Sequence, residues 1–202
     1  MYLHQNDLPS DVSFDGSVAV DTETMGLVTR RDRLCLVQLC SSTGDVHMVQ
    51  MQKDRQDKSE NLKKVLTSPS ILKIFHFARF DISILNHTFG IKVAPIYCTK
   101  IASKLVRTYT DKHGLKNLCK DILGVDISKQ EQTSDWGRRE LSKEQLKYAS
   151  GDVLHLHALK EKLDEMLERE GKTDVARDCF RMIDLISSLE LSGVVPEELF
   201  QH

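Results

Sequence analysis

The stretch that most constrains the fold is Ser17-Val-Ala-Val-Asp21-Thr-Glu23-Thr-Met-Gly-Leu27, a short apolar run that ends in two carboxylates one residue apart. Val18, Ala19 and Val20 are small or β-branched and show no helical stripe, so the run reads as a strand covered on both faces. Along a strand, side chains at i and i+2 share a face, which places Asp21 and Glu23 side by side. Two such carboxylates in a partly desolvated sheet raise each other's pKa unless positive charge lies between them, and a hard divalent cation with oxygen ligands supplies it. A strand end carrying two solvated acids satisfies the same letters, so the rest of the chain decides.

Residues 33–40 form a second apolar run and residues 45–49 a third, after a Ser-Ser-Thr-Gly turn, which predicts an antiparallel meander with the first strand paired to the second. Asp57, with Glu60 three residues on, is placed to cap a helix through Leu62, Val65 and Leu66. Ile71-Leu-Lys-Ile-Phe-His76 reads as a further buried strand. Phe77, Phe80, Ile84 and Leu85 then recur at helical spacing until Gly90. Asp81 stands among those apolar positions, either as a charge facing the helix dipole or as a group with chemistry to do.

After Pro95, Thr99 is placed to cap a helix whose Lys100, Lys104 and Arg107 form a basic stripe, a solvated face or a set of phosphate contacts. An amphipathic helix over 115–123 closes at Gly124, and a polar connection to residue 137 carries the chain's one tryptophan, Trp136, as a lid or as a clamp onto the core. Ser142 and Gln145 begin a long helix running to about residue 170, on which Tyr148 and Asp152 lie one turn apart. Gly151 beside them leaves room for a close neighbour. His155 and His157 are two apart, face different ways, and read as core or surface histidines. Thr173 starts a last helix to residue 191 that is apolar over more than one face.

At 202 residues the chain suits one domain, and its net charge of −2 offers no global basic field. An anionic substrate therefore has to be met by a local basic patch or by metal. Five cysteines without any CxxC read as reduced thiols. Neither a secretory h-region nor a run of about 18 apolar residues is found, so the expected setting is cytoplasmic, with no membrane.

Asp21 and Glu23 on a first strand, Asp81 at the start of a helix after a later strand, and Tyr148 with Asp152 on a C-terminal helix resemble, in kind and order, the ribonuclease D-like, DEDDy-type 3′→5′ exonucleases. The matching stretches are Val-Asp-Thr-Glu-Thr-Met-Gly-Leu (20–27), Ile-Phe-His-Phe-Ala-Arg-Phe-Asp (74–81) and Tyr-Ala-Ser-Gly-Asp-Val-Leu-His-Leu (148–156). A fourth, Gly114-Leu-Lys-Asn-Leu through Gly124 and on to Lys129 and Ser134-Asp-Trp136, is similar to the family's middle section. A sister group carries histidine five residues before the last aspartate. Here Lys147 stands there and tyrosine stands four before, which indicates the tyrosine branch. Larger members append helical nucleic-acid-binding domains, for which this chain has too few residues left. In that build, and in Thr99-Lys-Ile-Ala-Ser-Lys-Leu105, it looks most like the members that finish very short RNAs.

The resemblance implies an α/β fold, a ribonuclease H-like mixed sheet flanked by helices in a single domain. The exonuclease unit would span 1–172, with 173–202 a helical extension packed on it or at a subunit interface. Two divalent cations, Mg²⁺ or Mn²⁺, would be held by Asp21, Glu23, Asp81 and Asp152, with Asp21 bridging and Tyr148 orienting the attacking water. Leu27 would wedge under the terminal base, with Thr24 and Gly26 on the 3′ nucleotide and His76 and Phe77 completing the substrate-binding set. Lys100, Lys104 and Arg107 would meet phosphates. The implied reaction is metal-dependent 3′→5′ hydrolysis of short single-stranded RNA to nucleoside 5′-monophosphates by a homo-oligomer of cyclic or dihedral symmetry. The alternatives are an exonuclease that also takes DNA, or a catalytically silent nucleic-acid-binding module.

Overall fold

The computed structural model describes residues 1–53, 58–127, 133–199 and 201. Six strands, β1 (Tyr2–Gln5), β2 (Ser17–Thr24), β3 (Leu34–Ser41), β4 (Val46–Gln50), β5 (Leu72–Phe75) and β6 (Ile96–Cys98), form one sheet in the order β1-β4-β3-β2-β5-β6. β2, β3 and β4 make the antiparallel meander the apolar runs predict. β1 joins β4, β5 joins β2 and β6 joins β5 in parallel, so the sheet is mixed. β2 occupies the middle, with Val18, Ala19 and Val20 fully buried. β1 and β6 escape sequence reading because they are short, and β1 alternates no buried face.

The helices are α1 (Glu60–Thr67), α2 (Ala78–Phe89), α3 (Thr99–Val106), α4 (Leu115–Leu118) running into a π-helical turn (Cys119–Leu123), α5 (Lys143–Leu154), α6 (Leu156–Arg169), α7 (Thr173–Leu191) and α8 (Pro196–Leu199). Several local expectations change in the tertiary context. Asp57 lies outside the described residues. The free N–H groups at the start of α1 are met instead by the carboxylate of the distant Asp7, which accepts from Asn61 N at 3.0 Å and Leu62 N at 2.8 Å. Thr99 is the first residue of α3, not its cap, and its hydroxyl donates to Phe75 O at 3.2 Å. The long helix from Ser142 breaks at His155. Val153, Leu156, Leu159, Leu163 and Leu167 are buried on both sides of that break, so the apolar stripe carries no mark of it.

Lys73 is fully buried on β5, where its ammonium donates to the carbonyls of Ser68 and Ile71 at 2.8 and 2.7 Å and to that of Ala94. Burial pushes its pKa down to about 8, and the three carbonyls are what make an interior lysine tolerable. The last long helix, α7, buries Ala176, Phe180 and Ile183 and leaves Val175, Met182 and Leu185 about half exposed, as a stripe wider than one face requires. Arg79 of α2 ties α7 down through Glu190, 2.7 Å from its Nε, and α8 through Glu197, 2.6 Å from its Nη1. All five cysteines are free thiols, and among the described residues no helix is long and apolar enough to cross a membrane.

Candidate active site

β5 pairs with β2 only as far as Ala19, opposite Ile74, because the chain then leaves the sheet to enter α2. From Asp21 onward β2 therefore keeps β3 on one side and opens on the other, at the carboxyl end of parallel strands where α/β sheets bind ligands. Asp21 and Glu23 project from one face, and α5 crosses β2 carrying Tyr148 and Asp152. Carboxylate oxygens of Asp21, Glu23 and Asp152 lie within 4.8 Å of one another. Asp81 stands beside this trio rather than in it. It is buried near the start of α2, and Thr22 Oγ1 donates to its Oδ1 at 2.6 Å.

The cluster is electrostatically costly as it stands. Burial, then the charges of Asp81, Asp152 and Glu23, raises the Asp21 carboxyl well above the usual carboxylate range. Burial, then Asp152 and Asp81, pushes Glu23 up to about 9. Burial also lifts Asp81 to about 7, against the pull of its hydrogen bond from Thr22. An all-oxygen, net-negative donor set without cysteine or histidine is the chemistry that hard divalent cations require, so these residues fit Mg²⁺ or Mn²⁺.

A pH dependence follows. Glu23 and Asp81 titrate higher in the folded chain than in the unfolded one, so the folded chain binds more protons from about pH 4 up to about 9 and stability falls as pH rises through that window. Thermal melts in EDTA should show Tm decreasing across it. Added Mg²⁺ should raise Tm more at pH 8 than at pH 5, since the cation binds the ionised form. A metal-free Tm that rises with pH over this range would contradict the assignment.

Tyr148 hydrogen-bonds to Asp152, and burial together with the Asp152, Glu23 and Asp21 charges holds its phenol far above its ordinary pKa, so it is a protonated donor. Trp136 is 3% exposed with its ring centroid 6.1 Å from that of Tyr148. It is a clamp, not a lid. The Ser142–Gln145 capping box that starts α5 also serves this end, because the Gln145 amide donates to Ser134 Oγ and Asp135 O, both at 3.0 Å. No atom of the described residues lies within 4 Å of where a Cβ on Gly151 would stand, so no protein backbone uses the space it leaves.

Asp21, Glu23 and Asp152 open into a cleft of about 580 Å³ whose walls include Thr22, Thr24, Gly26, Leu27, His76, Phe77 and Lys100, while Asp81 lies behind them. Thr24 Oγ1 donates to Gly26 O at 2.5 Å, shaping the turn after β2. A Cβ on Gly26 would fall 2.3 Å from Asp32 Oδ2, so a larger residue here would have to displace the Asp32 side chain. Leu27, 84% exposed, stands as a bare apolar tip. Thr99 Oγ1 donates to Phe75 O and so accepts from His76 Nδ1 at 2.8 Å.

Phe77 is not part of the helical stripe its spacing suggests. It precedes α2 in the left-handed region, φ 67°, with its ring 48% exposed and Lys100 Nζ 4.0 Å from the ring centroid. For a bulky residue that backbone costs energy, which is the mark of a position held for a purpose. Lys104 and Arg107 are absent from the cleft wall. Arg107 corrects the expected basic stripe: it is buried, donates to Lys112 O and pairs with Asp121 at 2.5 Å, because α3 ends at Val106 and the non-helical backbone at Arg107 takes it off the stripe. Lys129 lies outside the described residues.

Two residues were not anticipated. Thr22 was hidden by strand alternation, which points it away from Asp21 and Glu23. Gln38 sits opposite Asp21 on β3, fully buried, with Nε2 3.3 Å from Asp21 Oδ2, and nothing in its local letters marks it. A larger cleft, about 780 Å³ between β6, α6 and α7, holds none of the clustered acids.

A 3′–5′ exonuclease family profile matches residues 5–168. Ribonuclease D of Gluconacetobacter diazotrophicus is 38% identical over 162 residues, which is 80% of this chain and 40% of the relative, so the chain spans about two-fifths of the length of that curated relative. Among solved structures, Brucella melitensis NrnC bound to pGG is 49% identical with a TM-score of 0.94, covering 99% of this chain and 97% of that one. Brucella melitensis NrnC with bound Mg²⁺ is 48% identical with a TM-score of 0.93, covering 99% and 98%.

Proposed function

The chain belongs to the 3′–5′ exonuclease family, in its ribonuclease D-like branch, and from that membership we propose that it trims short single-stranded RNA, down to dinucleotides, to nucleoside 5′-monophosphates. It is a hydrolase on the ribonuclease H-like mixed sheet. The observation that carries the proposal is the trio Asp21, Glu23 and Asp152 within 4.8 Å, with a protonated Tyr148 on Asp152.

In this reading Asp21, Glu23 and Asp152 would hold one divalent cation, Mg²⁺ or Mn²⁺, and Asp81 with Asp21 would help to hold a second. When bound, such ions make a water nucleophilic at neutral pH and neutralise the departing 3′ oxygen. Asp21 and Glu23 are fixed by a central strand, and Asp152 by α5, so the charge they carry is already in place before substrate arrives. Tyr148, whose hydroxyl lies on Asp152, orients the attacking water. Leu27 slides beneath the terminal base, Thr24, Gly26 and His76 meet the 3′ nucleotide, and Phe77 with Lys100 above its ring offers a stacking face beside a phosphate contact.

Short substrates are favoured in this reading because Brucella melitensis NrnC, 49% identical and matched over 97% of its chain, was solved bound to pGG. The exonuclease unit is residues 1–172, and 173–202 is a helical extension whose exposed Val175, Met182 and Leu185 suit a subunit interface in a cyclic or dihedral homo-oligomer. The free cysteines suit the cytoplasm.

A time course on end-labelled oligonucleotides of graded length, RNA and matched DNA, with Mg²⁺ or EDTA, tests the proposal. Dinucleotide RNA should be consumed fastest, mononucleotides should accumulate, and EDTA should stop the reaction. Faster loss of long structured RNA would refute the length preference, equal rates on DNA the polymer preference, and turnover in EDTA the chemistry. Light scattering should return a mass several times 23.0 kDa.

A further inference from the structure

We propose that Thr22 is a positioning residue that seats Asp81 for cation binding, an inference that rests on the two-cation reading above. Strand alternation puts the Thr22 side chain on the face of β2 away from Asp21 and Glu23. That would ordinarily make it part of the core, yet its hydroxyl spans 59 positions of sequence to reach Asp81 Oδ1 at 2.6 Å. Both side chains are nearly sealed from solvent, 7% and 4% exposed.

The reason for the contact lies in the sheet. Pairing with β5 stops at Ala19, so the β2 backbone at Thr22 has no strand partner on that side, and the Thr22 hydroxyl reaches across this opened edge to the Asp81 carboxylate. A β-branched side chain has few rotamers, so the grip is stiff. Ala78, Ile82 and Leu85, buried on the same helix, leave Asp81 little room to turn elsewhere. With Oδ1 accepting from the hydroxyl, Oδ2 would be the oxygen left to hold a cation. Thr22, which lines the same cleft as Asp21, Glu23 and Asp152, would thus set which oxygen of Asp81 serves without itself being a ligand.

Valine matches threonine in shape and lacks the hydroxyl, whereas serine keeps the hydroxyl and lacks the methyl. The test is Mn²⁺ titration by calorimetry on the parent, Thr22→Val, Thr22→Ser and Asp81→Asn, with Tm in EDTA and steady-state kinetics on a dinucleotide. Thr22→Val should weaken the second Mn²⁺ by about 10-fold or more and lower kcat by a similar factor, with the first Mn²⁺ and KM nearly unchanged. Thr22→Ser should restore both. Two Mn²⁺ bound to Thr22→Val as tightly as to the parent would overturn the proposal. So would equal damage in the valine and serine variants, which would assign the effect to packing. If Asp81→Asn itself keeps both ions and the full rate, the two-cation reading fails, and this inference falls with it.

Discussion

Replacing Asp21 with asparagine is expected to lower kcat by about 10⁴-fold or more, effectively abolishing hydrolysis. The charges of Asp81, Asp152 and Glu23 all raise the Asp21 carboxyl, so it stands within reach of every other acid of the cluster. Asparagine keeps the shape and the contact with the Gln38 side chain while removing the charge on which cation binding depends. The same change relieves repulsion in the metal-free protein, so the variant should be at least as stable as the parent in EDTA and should gain little from Mg²⁺. Loss of activity together with unchanged or raised metal-free Tm separates a missing ligand from a misfolded chain. A variant turning over at the parental rate would remove the cluster from catalysis.

The second large effect is at Tyr148. Its phenylalanine variant should bind Mn²⁺ almost as the parent does and lose about 10²-fold in kcat, as expected when a donor that aligns the attacking water is deleted. Its hydroxyl leans on Asp152 and is held protonated by burial and by the neighbouring carboxylates. A general base would contribute a pKa to the rate profile, and deleting it would reshape that profile. An orienting donor would not. The pH profile of kcat in Tyr148→Phe should therefore have the parental shape at a lower height, and a changed shape would make Tyr148 a base.

Much of the site is legible in the letters because its rules are local. Period-two alternation sets Asp21 beside Glu23, and a four-residue step on a helix sets Tyr148 over Asp152. The Ser142–Gln145 box announces the start of α5, and the apolar runs announce the antiparallel meander. The same locality explains the failures. The spacing of Lys100, Lys104 and Arg107 defines a helical stripe but not which neighbour it meets, and Arg107 is buried against Asp121. Phe77 fits a helical period yet adopts a left-handed backbone that no period encodes.

By itself, then, the sequence determined the identities and pairwise neighbourhoods of the acids, the central strand that bears two of them, and the helix that bears Asp152 and Tyr148. Only the tertiary structure decided that Asp152 meets Asp21 and Glu23 within 4.8 Å, that Asp81 stands beside them gripped by Thr22, that Gln38 steadies Asp21 from the next strand, and that Asp7 caps a helix some fifty residues away. The physical reason is range: propensity and periodicity act over one strand or one turn, whereas these contacts join residues far apart in sequence, as where β2 loses its β5 partner after Ala19 and Thr22 reaches Asp81.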